Sequence, residues 1–372
     1  MNQNRNKKII ISGGGTGGHV FPAIAIADAL KERVPDADIL FIGAEDRLEM
    51  EKVPEAGYRI IGLPVEGFKR KLTFRNIIVV VKLLKSLMIS GRIIEGFRPD
   101  AVAGVGGYAS GPVLRYASRK GIPILIQEQN SYAGLTNRLL ARRAGKICVA
   151  FEGMEKYFPA EKIIITGNPV RKEIQKAREV NYRQESCNYF GLVEGMNTLL
   201  VLGGSLGART INEGVMHNLD MIRNSGIQVL WQCGQYYYEE AKQTVQDSAL
   251  KNMVLVDFIS RMDLAYAAAD IVICRAGAIT IAELCHAGKP SILVPSPNVA
   301  EDHQTKNALA LTKKSAAILL PDREAVKNMI PIALDLFKDE GRMKRMSENI
   351  SGLAVKDSAV RIAEEIIAMM GD

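Results

Sequence analysis

Three glycine-rich turns and a histidine beside the first set the chemistry open to this 372-residue chain. The first turn is Gly13-Gly14-Gly15-Thr16-Gly17-Gly18, followed at once by His19. The second is Gly203-Gly204-Ser205-Leu206-Gly207-Ala208, and the third is the pair Gly106-Gly107. A glycine turn that opens a helix presents unpaired backbone N–H groups at the positive end of the helix dipole, and phosphate is the usual guest. Glycine there can equally serve only to let strand and helix pack closely, so one turn alone carries no function. Turns of one design in both halves suit a sugar nucleotide gripped from two walls, whereas a dinucleotide needs one. The first turn nevertheless matches G-x-G-x-x-G through Gly13, Gly15 and Gly18, with Glu45 and Asp46 after the next strand. A nicotinamide-dependent oxidoreductase therefore stays open.

Group transfer from a nucleotide sugar needs a base for the incoming hydroxyl and charge to meet the departing diphosphate. His19 is the candidate general base, because an imidazole titrates near neutral pH; the alternative is that it hydrogen-bonds a phosphate or caps its helix. Ser205 and the turn Gly277-Ala278-Ile279-Thr280 supply helix N-termini. Glu283, one turn inside the helix that follows, can accept both hydroxyls of a ribose, or be a solvated helix charge. The only D-x-D, Asp36-Ala37-Asp38, precedes a strand and reads as a loop. No metal and no cofactor are expected. Cys148, Cys187, Cys233, Cys274 and Cys285 are scattered and never spaced C-x-x-C, which suggests neither a disulfide framework nor a zinc site and fits a reducing cytoplasm.

The elements that must hold these groups follow from alternation. Short apolar runs at 8–12, 39–42, 101–105, 122–126, 198–202, 229–232, 271–274 and 291–294 alternate with longer helical patterns, the signature of crossover units and parallel sheets. The chain exceeds the size at which one core stops growing. We therefore read two Rossmann-like, doubly wound α/β domains, 1–167 and 168–355, with a closing helix in 356–372 that packs back on the first. The polar tract Arg178 to Asn188 reads as a surface excursion after the boundary.

As an ordered set, Gly14-Gly15-Thr16-Gly17-Gly18-His19-Val20-Phe21-Pro22-Ala23, Gly106-Gly107-Tyr108-Ala109-Ser110-Gly111-Pro112, Glu128-Gln129-Asn130, Gly167-Asn168-Pro169-Val170-Arg171 and Gly203-Gly204-Ser205 resemble the motifs of the MurG family. Arg275-Ala276-Gly277-Ala278-Ile279-Thr280-Ile281-Ala282-Glu283 and Asp302-His303-Gln304 to Asn307 continue the resemblance over essentially the whole chain. The tract Arg178 to Gly195 departs from the family pattern in being long and polar. The resemblance implies a GT-B fold of the glycosyltransferase 28 type, its two domains facing across a cleft. It implies metal-independent, inverting transfer of N-acetylglucosamine from UDP-N-acetylglucosamine to lipid I, undecaprenyl-pyrophosphoryl-MurNAc-pentapeptide, giving lipid II for peptidoglycan synthesis. By the same resemblance the donor would meet Thr16, Gly17, Gly18, Asn130, Arg171, Ser205, Ile259, Ala278, Ile279, Thr280, Glu283, Gln304 and Asn307. Gly106, Gly107, Tyr108, Ser110 and Glu128 would line the acceptor side. Other cell-wall synthesis proteins are candidate partners. A UDP-GlcNAc 2-epimerase of similar two-domain fold is the nearest rival.

Charge is unevenly shared. Residues 1–168 hold 25 Lys/Arg against 16 Asp/Glu, a balance of +9, and residues 169–372 hold 23 against 25, a balance of −2. An anionic partner for the first half follows. Between Phe68 and Arg92 stand Lys69, Arg70, Lys71, Arg75, Lys82, Lys85 and Arg92, with no acid between Glu66 and Glu95. On a helix beginning after Thr73 the bases from Arg75 onward share an arc, and Ile77 to Val81, Leu83, Leu84, Leu87 and Ile89 cover more surface than one core stripe requires. An exposed apolar ridge beside Lys69, Arg75, Ile78, Lys82 and Lys85 is the profile of contact with an anionic phospholipid surface. A buried helix with a basic edge is the alternative. The stretch carries no recognisable nucleic-acid module. No run reaches the ~20 apolar residues that span a bilayer, and the N-terminus lacks a secretory core. The expected location is peripheral, at the cytoplasmic face of the membrane.

Overall fold

The computed structural model describes residues 6–66, 75–204, 206–248, 250–299 and 302–371. The chain forms two compact units, Met1–Val170 with Val355–Asp372, and Arg171–Ala354. The first unit is built on seven parallel strands: β1 (Lys8–Ser12), β2 (Asp38–Ala44), β3 (Arg59–Leu63), β4 (Ala101–Gly104), β5 (Ile124–Glu128), β6 (Lys146–Val149) and β7 (Ile163–Ile165). Their order across the sheet is β3-β2-β1-β4-β5-β6-β7. The second unit has six: β8 (Thr198–Leu202), β9 (Gln228–Gln232), β10 (Met253–Val256), β11 (Ile271–Cys274), β12 (Ser291–Leu293) and β13 (Ala317–Leu319), ordered β10-β9-β8-β11-β12-β13. Central strands such as Ala101–Gly104 and Ile271–Cys274 are buried along their whole length. Continuous apolar runs are what a parallel sheet covered on both faces by helices demands.

The chain changes unit a few residues later than the 167/168 boundary read from the sequence, and there is a physical reason. The Asn168 side chain is buried in the first unit, accepting from Gln127 Nε2 at 3.3 Å and donating to the Gln129 carbonyl at 3.0 Å. Gly167 lies in the left-handed region at φ 76°, where a Cβ would press on Val355 at 2.6 Å. Both ties keep residues 167–170 with the first unit.

The closing helix, Ser358–Met369, lies on the glycine-turn helix Gly17–Arg33. Ile362, Ala363 and Ile366 are fully buried in the core that also holds Ile9, Ile11, Val20 and Ala27. Arg33 and Glu364 pair at 2.9 Å across the same contact.

The polar tract is a docked helix and not a surface excursion. Val180–Phe190 packs on the helix Met262–Ala268. Arg183 clasps both oxygens of Asp270 at 2.8 and 3.0 Å, and Ser186 Oγ donates to the Leu264 carbonyl. Ion pairs and hydrogen bonds fix this helix, so its sequence shows little apolar periodicity.

Helix 358–369 closes the first core. Ile366→Ala is therefore expected to cost about 2–4 kcal/mol, read from urea unfolding of the full chain; a loss below about 1 kcal/mol would mark the helix as peripheral.

Candidate functional site

In an open parallel sheet, ligands gather beyond the carboxyl ends of the strands where the winding reverses. The first unit reverses between β1 and β4, neighbours in the sheet although β2 and β3 separate them in sequence. The turn after β1 is Gly13–Gly18 and the turn after β4 carries Gly106-Gly107, so both motifs arrive at the switch point. Their backbones touch: Gly14 N–H donates to the Gly106 carbonyl at 3.3 Å, and a Cβ on Gly107 would overlap the Gly14 carbonyl. Gly106 and Gly107 stand at φ 92° and 86°, in the region that favours glycine.

Beneath the first turn lies Glu49, in the opening turn of the helix Glu49–Glu55 and 1% exposed. Its carboxylate accepts from Gly15 N–H at 3.0 and 2.9 Å and from Ala44 N–H at 2.9 Å. A side chain on Gly14 would overlap that carboxylate. The protein's own anion thus occupies an N–H group that a dinucleotide pyrophosphate would use, and Glu45 and Asp46 are exposed. Sequence reading singled out those two acids and passed over Glu49. Its only signal was an acid in the first turn of a short helix.

His19 is the third residue of the helix Gly17–Arg33, which opens at Thr16. Its imidazole lies against Gly106, where a Cβ would stand 2.8 Å from Cε1 and 2.9 Å from Nδ1. Burial lowers its pKa, against the opposing pulls of Glu128, the Val105 carbonyl, the Gln129 side chain and Glu49. The imidazole is therefore neutral at pH 7.

Glu128, at the end of β5 and 2% exposed, spends both oxygens inside the protein. Oε1 accepts from Asn130 N–H at 3.1 Å and from Asn130 Nδ2 at 3.4 Å; Oε2 accepts from Gly134 N–H and Asn137 Nδ2, both at 2.9 Å. It braces the loop that carries Asn130. Ser110 is buried and donates to the Gly107 carbonyl at 2.9 Å, whereas Tyr108 is 61% exposed. Tyr108 lines an apolar cavity of about 390 Å³ with Val79, Leu83, Leu87, Leu135 and Leu139.

The second unit reverses between β8 and β11. The turn after β8 packs so closely that a Cβ on Gly207 would overlap Tyr237. Ser205 lies outside the described residues. After β11, Gly277 precedes the helix Ala278–Ala287, whose first turn is Ala278, Ile279 and Thr280. Glu283 on that helix is buried, with Arg171 Nη2 at 3.4 Å from Oε1 and the Tyr266 hydroxyl donating to Oε2 at 3.0 Å. Burial pushes the Glu283 carboxyl up, and Arg171 and Tyr266 oppose it. Arg171 and Glu283, 112 positions apart, are thus brought together, and Tyr266 joins them without a sequence signal beyond a lone aromatic in an alanine-rich helix. Asn307 is fully buried with Nδ2 on the Ala276 carbonyl at 3.4 Å, and Gln304 Oε1 accepts from Ser296 N–H at 2.8 Å. Ile259 is buried in the loop after β10.

Of the five basic-ridge residues, Lys69 lies outside the described residues and Arg75 is described by its backbone alone. On the helix Arg75–Phe97, Ile78, Val80, Val81, Leu84 and Met88 are 45–62% exposed, and Lys85 and Arg92 are exposed beside them. Lys82 pairs with Glu66 at 2.8 Å. The exposed face therefore mixes apolar and basic side chains, whereas the sequence suggested a separate basic arc. Among the described residues no helix is long and apolar enough to cross a membrane, and no group of three His, Cys, Asp or Glu is placed to hold a metal.

Comparison with known proteins matches residues 9–149 to the glycosyltransferase family 28 N-terminal domain and residues 198–362 to its C-terminal domain. A Parabacteroides distasonis protein is 56% identical over 98% of this chain and 99% of its own length. A Bacteroides fragilis protein is 53% identical over 99% of each. Both are named UDP-N-acetylglucosamine--N-acetylmuramyl-(pentapeptide) pyrophosphoryl-undecaprenol N-acetylglucosamine transferase. Among solved structures, Acinetobacter baumannii MurG superposes with a TM-score of 0.71 at 30% identity, covering 97% of this chain and 99% of that one. A Neisseria meningitidis UDP-GlcNAc 2-epimerase superposes with a TM-score of 0.69 at 13% identity, covering 97% and 100%, a likeness of fold alone.

The Glu49 carboxylate accepts from two backbone donors. Glu49→Leu leaves the Gly15 and Ala44 N–H groups without it and is expected to cost about 2–5 kcal/mol in urea unfolding; an unchanged midpoint would remove Glu49 as the support of the turn.

Proposed function

The chain belongs to glycosyltransferase family 28, and from that we infer that it transfers N-acetylglucosamine from UDP-N-acetylglucosamine to N-acetylmuramyl-(pentapeptide) pyrophosphoryl-undecaprenol, the step that converts lipid I to lipid II in peptidoglycan synthesis. The observation that carries this reading over a nicotinamide enzyme is the Glu49 carboxylate under the first glycine turn. A second anion at Gly15 would meet like charge, so the N–H of Gly15 does not seat a dinucleotide pyrophosphate. The epimerase shares the fold, whereas the relatives above half identity are transferases.

In this reading Arg171 and the helix N-terminus at Ala278, Ile279 and Thr280 meet the diphosphate, with Ser205 beside them. Glu283 accepts from the ribose hydroxyls, exchanging its present contacts with Arg171 and Tyr266 for the ligand's. Backbone at Ile259 meets the uracil, and Gln304 and Asn307 meet the sugar. Thr16, Gly17, Gly18 and Asn130 complete the donor contacts, and Gly106, Gly107, Tyr108 and Ser110 those of the acceptor, with Glu128 acting through the Asn130 loop it braces. His19 takes the proton of the attacking MurNAc 4-hydroxyl. That oxygen bonds to the anomeric carbon as the bond to the diphosphate breaks, inverting the centre and releasing UDP.

No cation beyond the protein's own is required in this scheme. Label from UDP-N-acetylglucosamine should move to a soluble lipid I analogue, only when that acceptor is present, and with EDTA added. Loss on EDTA treatment, restored by Mg²⁺, would overturn the metal-independent part. UDP-ManNAc formed without acceptor would favour the epimerase.

The first unit is proposed to lie against the cytoplasmic face of an anionic membrane through the ridge Ile78, Val81, Lys85 and Met88, with cell-wall synthesis proteins as further partners. Binding to phosphatidylglycerol vesicles should fall with salt and by at least tenfold in the double variant Val81→Asp, Met88→Asp, each apolar side chain contributing up to roughly 1.5–3 kcal/mol when fully buried. Equal binding of that variant and the parent would remove the ridge from the interface.

A further inference from the structure

Gln127, Gln129 and Asn168 form a buried chain of side-chain amides behind His19 that the scheme above does not use. Gln129 is 2% exposed. Its Nε2 donates to the Val105 carbonyl at 2.6 Å and to Gln127 Oε1, while Gln127 Nε2 donates to Asn168 Oδ1 at 3.3 Å. Asn168 Nδ2 returns to the Gln129 carbonyl at 3.0 Å. The chain allows one orientation of the Gln129 amide. Turned over, its oxygen would face the Val105 carbonyl and Gln127 Oε1, two acceptors.

Gln129 Oε1 is consequently turned away from them, and among the described residues this buried acceptor has no hydrogen-bond partner. One ring nitrogen of the catalytic candidate, His19 Nδ1, is likewise buried and has no hydrogen-bond partner among the described residues. The two border the same glycine: a Cβ on Gly106 would stand 2.9 Å from Nδ1 and 3.6 Å from Gln129 Oε1. The two neutral groups that act on the imidazole, the Val105 carbonyl and the Gln129 side chain, both favour its protonated form, as groups that present an oxygen to a ring N–H do.

We propose that Gln129 is a positioning residue that holds His19 in the tautomer protonated at Nδ1, leaving Nε2 as the nitrogen with the free lone pair. This rests on the reading of His19 as the base that takes the acceptor's proton. A neutral imidazole with the other tautomer would present N–H to the acceptor hydroxyl and could not accept its proton. Because burial lowers the His19 pKa, the neutral form persists below pH 6.5, and only the tautomer decides whether Nε2 can act. Glu128 and Glu49 are the charged groups that act on the ring, and both oppose the lowering.

Two-bond ¹⁵N–¹H correlation spectra of the full chain read the tautomer of each of its four histidines, with His19→Ala giving the assignment. The parent should show His19 protonated at Nδ1. Gln129→Met, checked for parental unfolding, should mix the tautomers and lower kcat about tenfold with the donor KM unchanged. Gln129→Glu places a carboxylate at Nδ1 and should move the acid limb of kcat/KM, expected below pH 6.5 in the parent, upward by about one unit or more. A parent spectrum with His19 protonated at Nε2, or a Gln129→Met variant with tautomer and kcat both unchanged, overturns the proposal. Full kcat in His19→Ala, with the parent at Nδ1–H and Gln129→Met mixed, overturns the base reading and leaves the tautomer assignment standing.

Discussion

The carboxylate of Glu49 is the contact on which the first unit's site depends. It is buried, and a buried carboxylate is costly unless its oxygens are taken up. Here they are, by the N–H groups of Gly15 and Ala44. Those bonds tie the turn after β1 to the end of β2 and set the path of Gly14. That path in turn allows the Gly106-Gly107 turn to lie directly on it. With the two backbones in contact, the helix opening at Thr16 begins where its third residue, His19, meets Gly106. The place of His19, of its glycine neighbour and of the amide chain behind them thus follows from one carboxylate placed under one turn. Gly13, Gly14 and Gly107 each answer a definite overlap, whereas Gly15 meets nothing within 4 Å and is required there by its φ of 93°.

The second unit repeats the topology with the charges rearranged. At its switch point the buried carboxylate, Glu283, stands on the helix after β11 and is met by a guanidinium and a phenol instead of backbone amides. An anion held by Arg171 and Tyr266 can release both to a ligand that offers hydroxyls and phosphate. One whose partners are the peptide N–H groups of its own turn cannot do so without unfolding the turn. The same fold therefore holds one buried carboxylate by backbone N–H groups and the other by side chains, the arrangement that the proposed donor contact of Glu283 requires, and a glycine motif read alone does not tell the two apart.

Much of this was legible in the sequence because it rests on local pattern. Short apolar runs alternating with helical segments forecast two parallel sheets, and the ordered motif set pointed to the transferase family in which the chain stands. What escaped was long-range and polar. Nothing near Glu49 in sequence says that its carboxylate reaches Gly15, 34 positions away. Tyr266 carries no hint that it meets Glu283. The helix Val180–Phe190 reads as a solvated loop because Arg183, Tyr182 and Ser186 dock it, and polar docking leaves no apolar period to find.

The helix Arg75–Phe97 shows the opposite difficulty, an excess of pattern. Its apolar residues cover too much surface for periodicity to say which side faces inward. Close approach decides it: Gly91 abuts Tyr116 of the neighbouring helix, where a Cβ would stand 2.7 Å from the ring, and Ser86, Ser90 and Gly91 are buried. Small residues line much of the inner face because the two helices pack tightly there. The large side chains Ile78, Val81, Leu84 and Met88 are left on the outer one. Several apolar side chains half exposed on one helix are unfavourable in water and cost nothing where lipid replaces it. The packing of this helix and its proposed membrane contact are therefore linked: an inner face kept thin by Ser86, Ser90 and Gly91 leaves the larger side chains facing outward, on the surface that the proposed membrane contact would cover.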